Sequence, residues 1–226
     1  MLPLRDNVPT RHFPVVTVAL IAVNVLVWVL YQLPDLNGSV DELAYHPCEV
    51  EGSCPTVGQG WLLTAVTSMF MHGSWAHLLG NMLFLWIFGN NVEDALGRVR
   101  YLLFYLAGGF AATATQTFVT LAFASDAEAT IPNVGASGAI SAVLGGYIVL
   151  LPHAKVLTVI FFILREIPAI FFLGFWFVFQ LLEGSSSLAT PQEGGGVAFF
   201  AHIGGFVFGA LAVKLAQKRR PLAPTH

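Results

Sequence analysis

Charged side chains are scarce in this sequence. Asp, Glu, Lys and Arg together make up 10% of its 226 residues, whereas hydrophobic residues make up 56%. Soluble globular domains carry about 25% charged residues, so this composition excludes an ordinary soluble domain and indicates a polytopic membrane protein. The sequence also has no extended basic stretch of the kind that binds nucleic acid. We therefore expect the lipid bilayer, and no nucleic acid, among its partners.

Cysteine is nearly absent as well. The two cysteines, Cys48 and Cys54, lie six positions apart. A disulfide between them is possible outside the cytoplasm, but the spacing does not establish the pairing. With His46 as the only nearby histidine they make a poor zinc site. His72 and His77 are five positions apart, which does not place two imidazoles on one helix face. The sequence predicts no metal and no cofactor.

Long apolar stretches are what the sequence has in abundance. They predict an all-α fold, a polytopic transmembrane six-helix bundle that forms a single domain over residues 1–226. Ser74, after Gly73, is predicted as an N-cap, and the apolar residues 61–72 before it as an interfacial or partly embedded helix. The six predicted spans cover roughly residues 13–31, 74–91, 101–123, 137–151, 168–182 and 197–215.

Basic residues fix the predicted orientation. In the six-span arrangement all ten lie on one side, which the positive-inside rule makes cytoplasmic, together with both termini. The N-terminal region lacks the Arg- and Ser-rich character of an organelle presequence, which favours a prokaryotic plasma membrane. The basic residues are Arg5, Arg11, Arg98, Arg100, Lys155, Arg165, Lys214, Lys218, Arg219 and Arg220.

The fourth predicted span is too short to cross a bilayer fully. Its 15 residues, from Ser137 to Leu151, rise about 22 Å, whereas the hydrocarbon core is about 30 Å thick. The first turn would then begin below the membrane surface. A hydroxyl and free backbone groups are tolerated there only if they face protein or a water-filled cavity. Ser137 could be a simple N-cap, but this depth makes it a functional candidate.

The sixth predicted span carries His202 at a similar depth from the same side. Ser141 and Gly145 form a face of small residues on the fourth span, and Gly205 and Gly209 form another on the sixth. Two such faces can pack at backbone contact distance and bring a serine and a histidine together. Histidine is the usual base for an activated serine, although a packing histidine is the alternative for His202.

Acidic residues are missing from all six predicted spans. This absence predicts a Ser137–His202 dyad instead of a triad, and it argues against a transporter with carboxylates near mid-membrane. His77 and Asn81 share one face of the second span and could donate hydrogen bonds to an oxyanion, together with the Ser137 amide. The alternative is that they hold helices together.

The fifth span and the segment that follows it carry no predicted chemistry. An aromatic run over residues 171–179 predicts a lipid-facing or gate-like surface. The segment 183–196, rich in Ser and Gly, is either a mobile lid over the site or a plain connector.

Three motifs at these positions resemble the rhomboid family of intramembrane serine proteases. They are Gly135-Ala-Ser137-Gly138, Ala201-His202-Ile-Gly-Gly205, and His72 followed by His77 and Asn81. The resemblance covers nearly the whole chain in the minimal six-helix form. It implies a catalytic Ser137–His202 dyad and an oxyanion hole formed by the Ser137 amide, His77 and Asn81. His72, Gly135 and Gly138 would be supporting residues.

The resemblance also implies the substrates. These would be single-span membrane proteins, cut near the outer end of the spanning helix at a site open to the extracytoplasmic side. One position departs from the pattern, because Ser141 stands where some family members carry an aromatic residue that packs on the catalytic histidine. The alternative function is a non-catalytic binder or escort of membrane proteins, built on the same scaffold.

Overall fold

The computed structural model describes residues 1–54, 60–189 and 198–225. Within these residues the chain forms nine α-helices and one small sheet. The strands are β1 (Leu2–Asp6), β2 (Lys155–Ile160) and β3 (Ile163–Pro168). The helices are α1 (Val15–Leu26, continued by a π-helical segment, Val27–Gln32), α2 (Leu36–Leu43), α3 (Trp61–Thr67), α4 (Trp75–Leu96), α5 (Arg98–Phe123), α6 (Asp126–Ala129), α7 (Ser137–Leu150), α8 (Ala169–Ala189) and α9 (Phe199–Ala216).

The fold is mostly helical, and each predicted span coincides with one helix. Four helical segments in the described part of the chain are long and apolar enough to cross a membrane: Val15–Gln32, Arg98–Phe123, Ala169–Leu188 and Phe199–Ala216. Helix α7, with 14 residues, is too short by this measure. Helix α4 has 22 residues but also several polar ones. The shorter helices α2, α3 and α6 lie between the predicted spans.

Helix α7 lies at the centre of the bundle. All ten of its residues from Gly138 to Tyr147 are buried, and α4, α5 and α9 pack around it. Its approach to α9 is close enough that a Cβ atom at Gly209 would overlap the carbonyl oxygen of Ala142. The predicted contact between small-residue faces of these two helices is therefore present, and it fixes their relative height.

Two helices continue beyond the predicted ends of their spans. Helix α4 continues to Leu96, and within this extension Glu93 accepts hydrogen bonds from the backbone amides of Val16 (3.0 Å) and Thr17 (2.8 Å) at the start of α1. Helix α8 continues to Ala189, so the first part of the predicted lid or connector is helical. Residues 190–197, which hold the rest of that segment, lie outside the described residues.

The sheet was not predicted. Strand β2 pairs antiparallel with both β1 and β3. Phe161 and Phe162 form the turn of the β2–β3 hairpin, both with positive φ (44° and 69°), as a two-residue turn of the primed type requires. Pro168, predicted as the first residue of a helix, instead ends β3. Asp6 of β1 faces the bundle, and burial raises its pKa to about 6.

The long loop before α3 folds back over the bundle. Cys48 and Cys54 form a disulfide, which settles the pairing that the spacing left open. Tyr45 exchanges backbone hydrogen bonds with Asn133 and also contacts the Thr117 hydroxyl at 2.7 Å. The Gly135 amide donates to the carbonyl oxygen of Ser68 (2.9 Å). The loop and the turn after α3 thus hold the segment that leads into α7.

Candidate active site

Ser137 is the first residue of α7, and its side chain does not cap the helix. Ala136 occupies the N-cap position, and no side chain caps this end. The hydroxyl Oγ instead lies 2.8 Å from Nε2 of His202. The N-cap alternative for this serine is therefore not what the structure contains. The Ser137 hydroxyl instead forms a hydrogen bond with the His202 imidazole. This contact lies at the start of α7, a helix that is largely surrounded by protein.

His202 lies in the first turn of α9. The Ala201 amide beside it donates to Oε1 of Gln116 on α5 (3.2 Å). Gln116 thus supplies a side-chain acceptor at the start of α9, where the Ala201 amide also donates to the carbonyl oxygen of Ala198 (3.1 Å). This contact and the close α7–α9 packing set the height of the imidazole opposite Ser137.

Two residues of α8 complete the surroundings of His202, and both were missed from the sequence. Nδ1 of His202 lies 2.7 Å from Oε1 of Gln180, which is buried. The Trp176 ring lies 5.8 Å from the imidazole, centroid to centroid. Gln180 thus contacts a candidate site residue, although the fifth span was predicted to carry no chemistry. The signal was in the sequence: Gln180 is the only amide side chain in the apolar stretch 168–182.

The aromatic residues of α8 fall into two groups, one exposed and one packed within the bundle, which the sequence did not distinguish. Phe171, Phe175 and Phe179 are exposed on the outer face of the helix. Phe172 is buried, and the Phe177 ring stacks on Phe206 of α9 at 4.5 Å.

His77 and Asn81 lie on the same face of α4, beside Ser137. Ser74 caps this helix as predicted, since its hydroxyl accepts from the His77 amide (3.1 Å). Nδ1 of His77 accepts a long hydrogen bond from the Gly73 amide (3.5 Å), which leaves the ring proton on Nε2. The Asn81 side chain is buried, and its Nδ2 atom has no hydrogen-bond partner in the part of the chain that the structure describes.

Gly135 occupies a position that favours glycine. Its φ of 130° is in a region that favours glycine, and a Cβ atom there would lie 2.8 Å from Nε2 of His77. The same Cβ would lie 3.5 Å from the Ser137 hydroxyl. Gly135 therefore lies close to both the imidazole of His77 and the hydroxyl of Ser137. Gly138, one residue after Ser137, has a comparable role in packing, since a Cβ there would lie 2.6 Å from Cβ of Ala112.

His72 supports this arrangement without touching Ser137. Its ring is fully buried and meets the His77 ring edge to face at 5.1 Å. The side chain of Gln32 holds its backbone, since it accepts from the His72 amide and donates to the carbonyl oxygen. Within the described residues, no group of three or more His, Cys, Asp or Glu side chains could hold a metal ion.

These side chains open into one cavity of about 590 Å³. It is large enough for an extended stretch of several residues, and it combines a serine and a histidine in hydrogen-bond contact with two side-chain donors. The arrangement has the parts that acyl transfer needs, namely a nucleophile, a base and donors for an oxyanion. The residues that line the cavity include Ser137, His202, His77, Asn81, Trp176 and Pro132.

Comparison with known proteins gives a consistent picture. The model of the Rhomboid domain family matches residues 59–219. Rhomboid protein 1, mitochondrial, from Saccharomyces cerevisiae is 29% identical over 89% of this chain and 55% of its own length. Rhomboid protease GluP from Bacillus subtilis is 33% identical over 58% of this chain and 24% of its own length.

The human presenilin-associated rhomboid-like protein, mitochondrial, is 27% identical over 84% of this chain and 45% of its own length. The chain thus spans about half, or less, of the length of these relatives. Their names include both mitochondrial and bacterial proteins, and one is named as a protease. With a family match over most of its length, this chain belongs to the rhomboid family.

Proposed function

We propose that this protein is an intramembrane serine endopeptidase that cleaves membrane-anchored proteins through a Ser137–His202 dyad. The observation that carries the proposal is the contact of 2.8 Å between Ser137 Oγ and His202 Nε2. A serine in hydrogen-bond contact with an imidazole, beside a cavity, is the arrangement that activates a hydroxyl for attack on a carbonyl carbon.

The proposed reaction follows from this geometry. His202 Nε2 takes the proton of the Ser137 hydroxyl as Oγ attacks the scissile carbonyl. The oxyanion that forms accepts hydrogen bonds from Nδ2 of Asn81, Nε2 of His77 and the Ser137 amide. The protonated imidazole then gives its proton to the leaving amine, which leaves an acyl group on Ser137. A water molecule, activated by the same imidazole, releases the acyl product by the reverse sequence.

We also propose the orientation and the substrates. Six helices would cross the plasma membrane of a prokaryote, with both termini in the cytoplasm and the cavity open to the extracytoplasmic side. The one-sided distribution of Lys and Arg supports this orientation, as does the pairing of Arg11 with Asp94 (2.6 Å), close to the C-terminal tail. Substrates would be single-span proteins cut near the outer end of their membrane helix.

The test is cleavage of a labelled single-span substrate by the purified protein in detergent or vesicles. Ser137→Ala and His202→Ala should each abolish cleavage, because neither variant can form the activated hydroxyl. Both should also lose labelling by a fluorophosphonate probe, which needs the same hydroxyl. Unfolding midpoints close to wild type would show that the loss is chemical.

Ser141→Ala is the matched control, one helical turn further along α7. The Ser141 hydroxyl donates to the Ser137 carbonyl oxygen of its own helix (2.6 Å), so this variant should keep its probe labelling and its cleavage. Wild-type cleavage by Ser137→Ala would refute the proposal. If the wild-type protein captures single-span proteins but neither cleaves them nor reacts with the probe, a non-catalytic binder is the correct function.

A further inference from the structure

Gln180 lies in an unusual place for an amide. It is on α8, in the apolar part of that helix, and only 4% of its surface is exposed. Its Oε1 atom lies 2.7 Å from Nδ1 of His202, on the opposite side of the imidazole from Ser137. A polar group is retained in such surroundings only where it has a partner. Here the partner is the proposed base.

The hydrogen bonds fix which way the Gln180 amide points. Its Nε2 atom donates to the carbonyl oxygen of Trp176, one turn earlier in α8 (3.4 Å). A carbonyl oxygen can only accept, so the NH₂ group must face Trp176 and the amide oxygen must face His202. The oxygen in turn requires the imidazole proton on Nδ1. Nε2 of His202 then presents its lone pair to the Ser137 hydroxyl, which is the tautomer that a general base needs.

The same helix also supports the imidazole face. The Trp176 ring lies 5.8 Å from the His202 ring and 6.0 Å from the Phe206 ring, and thus covers one side of the α9 turn that carries the histidine. At position 141 the chain has no aromatic ring to do this. Trp176 and Gln180 are four residues apart, so a single face of α8 contacts both the face and the Nδ1 edge of the imidazole.

We propose that Gln180 is a positioning residue for His202, which orients the imidazole and selects its tautomer through a neutral amide. This inference rests on the proposed function. In the serine–histidine–aspartate triad, a buried carboxylate orients the imidazole and selects its tautomer. A carboxylate within a membrane helix is costly, whereas an amide supplies the same acceptor without a charge. The proposed dyad and its positioning residue would therefore come from three helices, α7, α8 and α9.

The test compares Gln180→Leu, which removes the acceptor at similar volume, with Val178→Leu, which introduces the same residue on the exposed face of α8. Gln180→Leu should lower kcat by about 10- to 100-fold, a part of the roughly 10²- to 10⁴-fold that general acid–base catalysis contributes, with KM nearly unchanged. Val178→Leu should leave both constants and the fluorophosphonate labelling rate as in wild type.

Gln180→Glu provides a readout that a purely structural role would not affect. It keeps the acceptor but adds a charge that stabilises the imidazolium, so a higher pH is needed to free the base. The acid limb of the pH–rate profile should move to higher pH by about one unit, while more activity is retained than in Gln180→Leu. This variant also carries the test if Gln180→Leu does not fold.

A wild-type kcat in Gln180→Leu, or a pH–rate profile of Gln180→Glu that superimposes on wild type, would overturn the inference. Failure of the proposed function has a different signature, since the wild-type protein itself would then show no cleavage that depends on Ser137. Cleavage that depends on Ser137 but not on the residue at 180 would refute only the positioning role.

Discussion

Among single residues, Asn81 has the environment that most suggests a ligand. Its side chain is buried, yet the Nδ2 group donates to nothing in the described residues. A buried donor without a partner costs about 1–3 kcal/mol, and native proteins keep few of them. Because the group borders the cavity beside Ser137, an oxyanion of the bound substrate is the partner that would satisfy it.

Substitution of Asn81 by alanine should therefore impair the reaction more than the fold. We expect Asn81→Ala to lower kcat by about 10²- to 10³-fold, the usual effect of losing one oxyanion donor, with substrate binding little changed. Asn91→Ala, on the same helix, is the matched control. Asn91 is also buried, but it lies towards the other end of α4, where its side chain donates to Asp6 of β1 (2.6 Å). Its loss should therefore lower the stability of the fold and leave kcat unchanged. An Asn81→Ala enzyme with the wild-type kcat would exclude this role.

Single residues also show which side-chain contacts could be predicted from the sequence alone. Ser137 and His202 could be paired in advance because a short helix and two small-residue faces fix their depth and their approach. Gln180 could not be paired with His202 in this way. Its contact depends on the rotation of α8 about its own axis, and an aromatic run on all sides of that helix gives no periodicity from which the rotation could be read.

At the scale of elements, the contact between α7 and α9 positions the proposed dyad. These helices touch through backbone atoms, so their separation cannot change without moving Ser137 relative to His202. Gly145 and Gly209 leave no space for a side chain, since a Cβ atom at either would overlap a carbonyl oxygen of the other helix. The proposed chemistry therefore depends on residues about two helical turns away from it.

Gly209→Val should expose this dependence. The new side chain must push α9 away from α7, which we expect to lower the free energy of unfolding by about 1–3 kcal/mol, the typical cost of overpacking. Fluorophosphonate labelling should fall as the Ser137–His202 contact lengthens. Gly174→Val on α8 is the control, because nothing lies within 4 Å of a Cβ there. Equal unfolding midpoints and labelling rates for the two variants would contradict the role of Gly209.

The elements that the sequence analysis missed have a common physical reason. Residues 155–167 were read as a connector between spans, although Val156, Thr158 and Val159 favour a strand. The partner strand, β1, comes from the far end of the sequence, and the pairing Leu2–Val159 is a contact that no local pattern reveals. Helix periodicity is local and could be predicted, whereas this sheet depends on long-range pairing.

For the whole molecule, the two ends of the bundle differ in charge and in function. The C-terminal tail is bound to the end of α4, since the amides of Lys218 and Arg219 donate to the carbonyl oxygen of Ala95. Arg11 bonds both Asp94 and the carbonyl oxygen of Arg220. Basic residues from the N-terminal and the C-terminal segments therefore meet at one end. The proposed site and the disulfide loop lie at the other end of the bundle, where they are connected by the backbone hydrogen bonds between Tyr45 and Asn133.

This polarity predicts the direction in which the cavity opens. Positive charges remain on the cytoplasmic side, so the end with α6 should face outward. Ala127→Cys, exposed on α6, should react with a membrane-impermeant maleimide in intact cells, whereas Arg220→Cys should react only after the membrane is permeabilised. The native cysteines are paired in a disulfide and should not react. Labelling of Arg220→Cys alone in intact cells would reverse the orientation, and the site would then act on the cytoplasmic ends of its substrates.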